Sequence, residues 1–142
     1  MVKKAISRPK TKMSEIWVEN KVRKYLKTHG FDVKKRLTSH GVDITAYKNG
    51  KLYLIEAEGN KTRNNEDTQQ VYSYYTRAFG QLAIRTTKYP NAKCIMALPL
   101  RKAYQKKVEE TKRALKLLHF SIYFVNKKGK IVDRKGKIIE IK

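Results

Sequence analysis

The residues best suited to chemistry fall in one short segment, GVDITAYKNGKLYLIEAE, at positions 41–58. Asn49-Gly50 is a strong signal for a two-residue type I′ turn, because both central positions of that turn need positive φ. A hairpin closed there runs Val42–Lys48 out and Lys51–Glu58 back, with Lys48 facing Lys51. Counting away from the turn, Asp43 then faces Glu56. Strand alternation puts Asp43, Thr45 and Tyr47 on one face with Leu52, Leu54, Glu56 and Glu58. Facing Cβ atoms lie roughly 4.5–5.5 Å apart, and Glu58 stands about 7 Å beyond Glu56 along the strand. Three carboxylates therefore converge at the open end of one hairpin. Like charges set opposite each other are destabilising, so such a cluster calls for a divalent cation or a retained proton. Oxygen ligands alone favour Mg²⁺ or Mn²⁺ over zinc. His29, His40, His119 and Cys94 show no zinc-site spacing. The competing reading leaves the carboxylates as separate surface groups neutralised by lysines, and a one-residue register slip would part them.

The surrounding elements must hold that hairpin end. Ser14 is a plausible N-cap, with Glu15 in the first turn of a helix running to about His29 and stopped by Gly30. Glu15, Glu19, Val22 and Leu26 share one face of this helix, so Glu19 lies along an apolar stripe. Phe31–Leu37 reads as a short strand and Thr38–Gly41 as a loop. Gly59–Asp67 is a polar loop carrying Lys61 and Arg63. A long helix is predicted over about Glu66–Lys88, with Val71, Tyr75, Ala78 and Leu82 inward. Arg77, Gln81 and Arg85 form its polar stripe at i, i+4 and i+8. Pro90 closes the segment, and Ala92–Leu98 reads as a buried central strand. One further helix is expected, with Tyr104, Val108, Thr111, Leu115 and Leu118 inward. Ser121–Val125 is a strand, and the tail suggests an edge hairpin around Arg134–Gly136. Together these predict an α/β fold, a mixed central sheet flanked by helices in αβββαβαβ order.

Composition narrows the function. The 142 residues suit one domain, read as 14–142, preceded by a flexible basic arm at 1–13. That arm could lie along a phosphate backbone or be a solvated tail. Forty percent apolar residues can build a core, which argues against a disordered basic chain. A formal charge of +22 attracts a polyanion, most commonly nucleic acid, with an affinity that falls steeply with salt. The rival is a lysine-rich thermostable or ribosome-associated protein. Cys94 is the one cysteine, so no intramolecular disulfide can form, consistent with a reducing cytoplasmic setting. No apolar run approaches the ~20 residues of a membrane span, and no apolar segment follows the basic N-terminus. A soluble, cytoplasmic protein without membrane partners is expected.

A helical acid, then Gly41-Val42-Asp43 on a strand, then Glu56-Ala57-Glu58 on the next, resembles the PD-(D/E)XK nucleases. The resemblance covers about residues 14–125 and implies a restriction-endonuclease-like core. It implies that Asp43 and Glu56 bind Mg²⁺ or Mn²⁺ and that Glu19 completes the metal site. The usual Lys of the last motif is replaced by Glu58, a variant that some restriction endonucleases share. Glu58 would be a further ligand or would position the attacking water. The role of the Lys stays open, with Lys61 or a helical Lys as candidates. Ala78-Phe79-Gly80-Gln81-Leu82 resembles the Gln-bearing helix of several such families, which implies that Gln81 faces the site. Lys61, Arg63, Arg77 and Arg85 would contact DNA phosphates, and His40 could touch one. Small size and basicity also resemble archaeal Holliday-junction resolvases, which act as dimers. The implied activity is a Mg²⁺-dependent endodeoxyribonuclease acting on duplex or branched DNA in recombination or repair, as a homodimer. The alternatives are a non-catalytic DNA-binding protein on the same scaffold and an RNA-directed nuclease. Of Tyr72, Tyr74 and Tyr75, the last reads as core, and one of the others could stack on a base.

Overall fold

The hairpin register expected around Asn49-Gly50 is the one observed. In the computed structural model, which describes residues 13–35, 42–60, 68–133 and 135–137, Lys48 pairs with Lys51 and the ladder continues to Ile44 with Ile55. Asn49 and Gly50 have φ of 53° and 78°, as a type I′ turn demands. These strands are β2 (Ile44–Lys48) and β3 (Lys51–Ala57). They belong to a six-stranded sheet in sequential order with β1 (Asp32–Val33), β4 (Lys93–Pro99), β5 (Ser121–Val125) and β6 (Ile131–Val132). β1, β2 and β3 are antiparallel, β3, β4 and β5 are parallel, and β6 returns antiparallel on β5.

Helices cover both faces, as the alternating strand pattern requires. α1 (Glu15–Thr28) is capped by Ser14, whose hydroxyl accepts from Trp17 N at 3.2 Å. Its Val18, Val22 and Leu26 pack on Ile44, Ile55, Ala57 and Ile95. On the other face, α2 (Thr68–Lys88) buries Val71, Tyr75, Ala78 and Leu82 against Leu54, Cys94, Met96 and Leu98. β4 is therefore covered on both sides, which explains its unbroken apolar run. The fold is thus α/β, with a mixed sheet between helices. Among the described residues no helix is long and apolar enough to cross a membrane.

One local expectation changes, and the tail gains a turn. The single helix expected through Thr111 is broken there into α3 (Lys102–Glu110) and α4 (Lys112–Leu117). The Thr111 hydroxyl donates to Lys107 O at 2.8 Å and meets Tyr75 Oη at 2.6 Å. Back-bonding of this kind bends helices, and the contact with α2 fixes the bend. The tail strand pairs through a turn at Asn126–Gly129, where Gly129 N donates to Asn126 O at 2.8 Å. A second turn follows, in which Asp133 N donates to Lys137 O at 2.7 Å. Residues 1–12 of the expected arm lie outside the described residues.

Candidate metal-binding carboxylate site

Continuing the β2–β3 register by one residue sets Asp43 opposite Glu56. Asp43 stands just past the end of β2, and its Oδ2 accepts from Ala57 N at 2.8 Å. A side chain thereby replaces the next backbone partner of the ladder and holds the carboxylate against the strand carrying Glu56. Glu58 N donates to Ala97 O at 3.0 Å, which extends the β3–β4 ladder and fixes Glu58 as well. Among the described residues the buried charged ones are Glu19, Glu56 and Glu58, at 4%, 7% and 6% exposure. Burying a carboxylate is costly unless it is paired, hydrogen-bonded or protonated, so Glu56 and Glu58 together at the end of β3 mark a special environment.

The electrostatics of Glu56 describe that environment. Burial pushes its carboxyl up from 4.5 to about 8, and the charge of Asp43, the hydrogen bond between the two carboxyls and the charge of Glu58 add to the rise. This environment favours the protonated form of the Glu56 carboxyl at neutral pH. Arg85 acts in the opposite sense, its positive charge favouring ionised Glu56.

Glu19 reaches this end of the sheet through Arg23. Glu19 Oε2 accepts from Arg23 Nε at 3.0 Å. Arg23 also donates from Nη2 to Asp43 O and from Nη1 to Lys34 O, each at 2.8 Å. Arg23 thus ties α1 to the segment bearing Asp43, a role that the sequence reading missed. Its position one helical turn after Glu19 was the available signal. Among the described residues no three His, Cys, Asp or Glu side chains form a group able to hold a metal ion. The Asp43–Glu56 pair nevertheless fits a small hard cation, because Mg²⁺ is commonly held by one or two carboxylates together with waters and substrate phosphates.

Of the polar stripe of α2, Arg85 bears on the carboxylates. Gln81 Oε1 accepts from Arg85 Nη2 over a long 3.5 Å, and Arg85 lies close enough to Glu56 to influence its ionisation. Arg77 is exposed and stands over the Tyr74 ring at 5.5 Å. Tyr75 is core, while Tyr72 is exposed beneath the Lys107 ammonium at 5.0 Å. Lys61, Arg63 and His40 lie outside the described residues.

No protein-family model matches the chain, and no curated protein matches it. Solved structures do match. The chain is similar in fold to XisH proteins. An XisH family protein from Nostoc punctiforme PCC 73102 superposes with a TM-score of 0.55 at 15% identity, over 87% of this chain and 97% of that one. An fdxN element excision controlling factor protein from Anabaena variabilis gives a TM-score of 0.50 at 14% identity, over 88% and 97%. At such identity the XisH likeness concerns the path of the backbone, and the site rests on this chain's own contacts.

One of those contacts secures the mouth of the site. Gly59 follows Glu58 directly, and a Cβ added there would overlap the backbone of Ser14 and Glu15 at the start of α1. Tyr104 Oη donates to Gly59 O at 3.1 Å, Asn60 N donates to Met13 O at 3.0 Å, and Arg101 Nη1 donates to Asn60 Oδ1 at 2.8 Å. The obstruction is backbone, which cannot swing aside as a side chain does. Gly59→Ala is therefore expected to lower unfolding free energy by about 2 kcal/mol or more, read from urea denaturation midpoints. Stability equal to the parent would show that α1 does not press on the strand end.

Proposed function

We propose that this protein is a metal-dependent DNA endonuclease of the PD-(D/E)XK type. The observation that carries the reading is the buried carboxyl contact between Asp43 and Glu56, with Glu58 beside it, at the end of the hairpin. The charge of +22 favours a polyanionic substrate. The Anabaena variabilis structure is that of an excision controlling factor, which supports DNA as that polyanion. Asp43 and Glu56 would hold Mg²⁺ or Mn²⁺. When bound, the cation supplies Lewis acidity toward a phosphodiester and lowers the pKa of water. Asp43 is oriented for this by Ala57 N, and Glu58 faces the same space to orient a nucleophilic water. Arg85 supplies the fixed positive charge that the Lys of the motif would otherwise provide. Arg77, with Lys61, Arg63 and the basic N-terminal arm, would hold the DNA, and a homodimer would present two sites to two strands.

The test is cleavage of a labelled four-way junction, a linear duplex and a single strand, each in Mg²⁺, Mn²⁺ and EDTA. Metal-dependent cutting is expected, and the preferred substrate separates a junction resolvase from a general endonuclease. Arg85→Met should slow cutting by about 10²-fold and move the pH profile upward, since Glu56 loses the charge that favours its ionised form. A profile and rate equal to the parent's would remove Arg85 from the site. A non-catalytic DNA-binding protein on this scaffold is the second reading. It is favoured by the lack of a three-ligand acidic group among the described residues. Tight DNA binding without cutting in any metal would establish it.

A further inference from the structure

The carboxylates occupy the end of the sheet where the parallel strands finish. The opposite end, where β3 and β4 begin, carries two adjoining clefts of about 500 and 420 Å³. Both are bounded by Lys51 and by the Pro90–Ala92 turn. Lys88 lines the first, Lys93 the second, and neither lining includes an Asp or Glu. Among the described residues none of these three lysines pairs with a carboxylate. The Lys93 ammonium donates to His119 O at 3.0 Å, which holds it at the cleft. Burial pushes the Lys93 ammonium below its usual range, and Lys51 pushes it further. Lys48, paired with Lys51 across the hairpin, lines neither cleft, and its ammonium donates to His29 O at 2.8 Å. Like charges gathered on a partly buried surface are unfavourable by themselves, and an anion laid across them removes that cost.

We infer that this lysine-lined end of the sheet is a second nucleic-acid contact, taking the phosphodiester backbone of the same DNA that the carboxylate end would cut. The inference rests on the DNA reading above but not on catalysis, because backbone binding here needs no metal.

The experiment follows binding of labelled duplex and single strand by fluorescence anisotropy in EDTA over a salt series. It compares the parent chain, K51Q/K93Q, and K127Q/K128Q, which removes the same charge from exposed positions in the β5–β6 turn. Each phosphate contact contributes about 0.7–0.9 to the slope of log affinity against log salt. K51Q/K93Q should therefore lose about 1.5 from the slope and bind roughly tenfold more weakly, while K127Q/K128Q changes little. An unchanged slope in K51Q/K93Q overturns the inference, and so does an equal loss in both variants, which would mean diffuse attraction. A parent chain that binds no DNA overturns it together with the DNA reading. Cleavage run in parallel keeps the two ideas apart. Cutting with an unchanged slope removes only the cleft, and lysine-dependent binding without cutting removes only the nuclease.

Discussion

Asp43→Asn is expected to abolish metal-dependent cleavage while leaving the fold intact. The Asn Oδ1 can still accept from Ala57 N, the 2.8 Å contact that fixes this side chain to the strand end. What it loses is the negative charge facing Glu56. A cation held by two carboxylates would then have one, and the rate should fall by about 10³-fold or more, equivalent to about 4 kcal/mol of transition-state stabilisation. Asp43→Ala should remove the activity as fully and also cost about 1 kcal/mol of stability, because Ala57 N loses its acceptor. Calorimetric titration with Mn²⁺ supplies an independent readout. The parent should bind and Asp43→Asn should not. Cutting by Asp43→Asn at the parental rate would sink the carboxylate site. Failure of the parent to bind Mn²⁺, with and without DNA, would count equally against it.

The carboxylate hairpin was legible because one local signal fixes its register. Asn49-Gly50 admits one tight turn, and from it the facing of Asp43 and Glu56 follows by counting. Glu19 was legible for a similar reason, since a carboxylate on the stripe of Val18, Val22 and Leu26 must be buried with its helix. Contacts between distant segments were not legible. Arg23 reads as an ordinary helical cation until Lys34 O and Asp43 O are brought to it. Arg85 suggested a phosphate contact, whereas the packing of α2 brings its charge to bear on Glu56. The break at Thr111 depends on Tyr75, a partner on another helix. The lysine-lined clefts depend on a parallel pairing across α2, which sets Lys93 beside the start of β3. Local turn chemistry and burial periodicity thus locate the acids, while the cations around them are placed by tertiary structure.

The buried Glu56 carboxyl makes the metal-free protein sensitive to alkaline pH. In the folded chain it protonates at about 8, against 4.5 for an ordinary glutamate. Between those values the folded state holds a proton that the unfolded state does not, so stability falls as pH rises. The contribution is fully present below about 4.5 and is lost as pH climbs through about 8. In EDTA this one group should remove about 4 kcal/mol between pH 5 and pH 9, or roughly 12 °C in Tm for a domain of this size. Glu56→Gln keeps a donor for Asp43 and cannot ionise, so its Tm should change less with pH and should exceed the parent's at pH 9. Comparing the two chains cancels the loss of lysine charge at high pH, which they share. Mn²⁺ should restore the parent at pH 9, because a cation takes over the neutralising role of the proton, and should do little for Glu56→Gln. Identical pH trends for parent and variant in EDTA would show that Glu56 ionises freely, and the case for a neutralising cation would go with it.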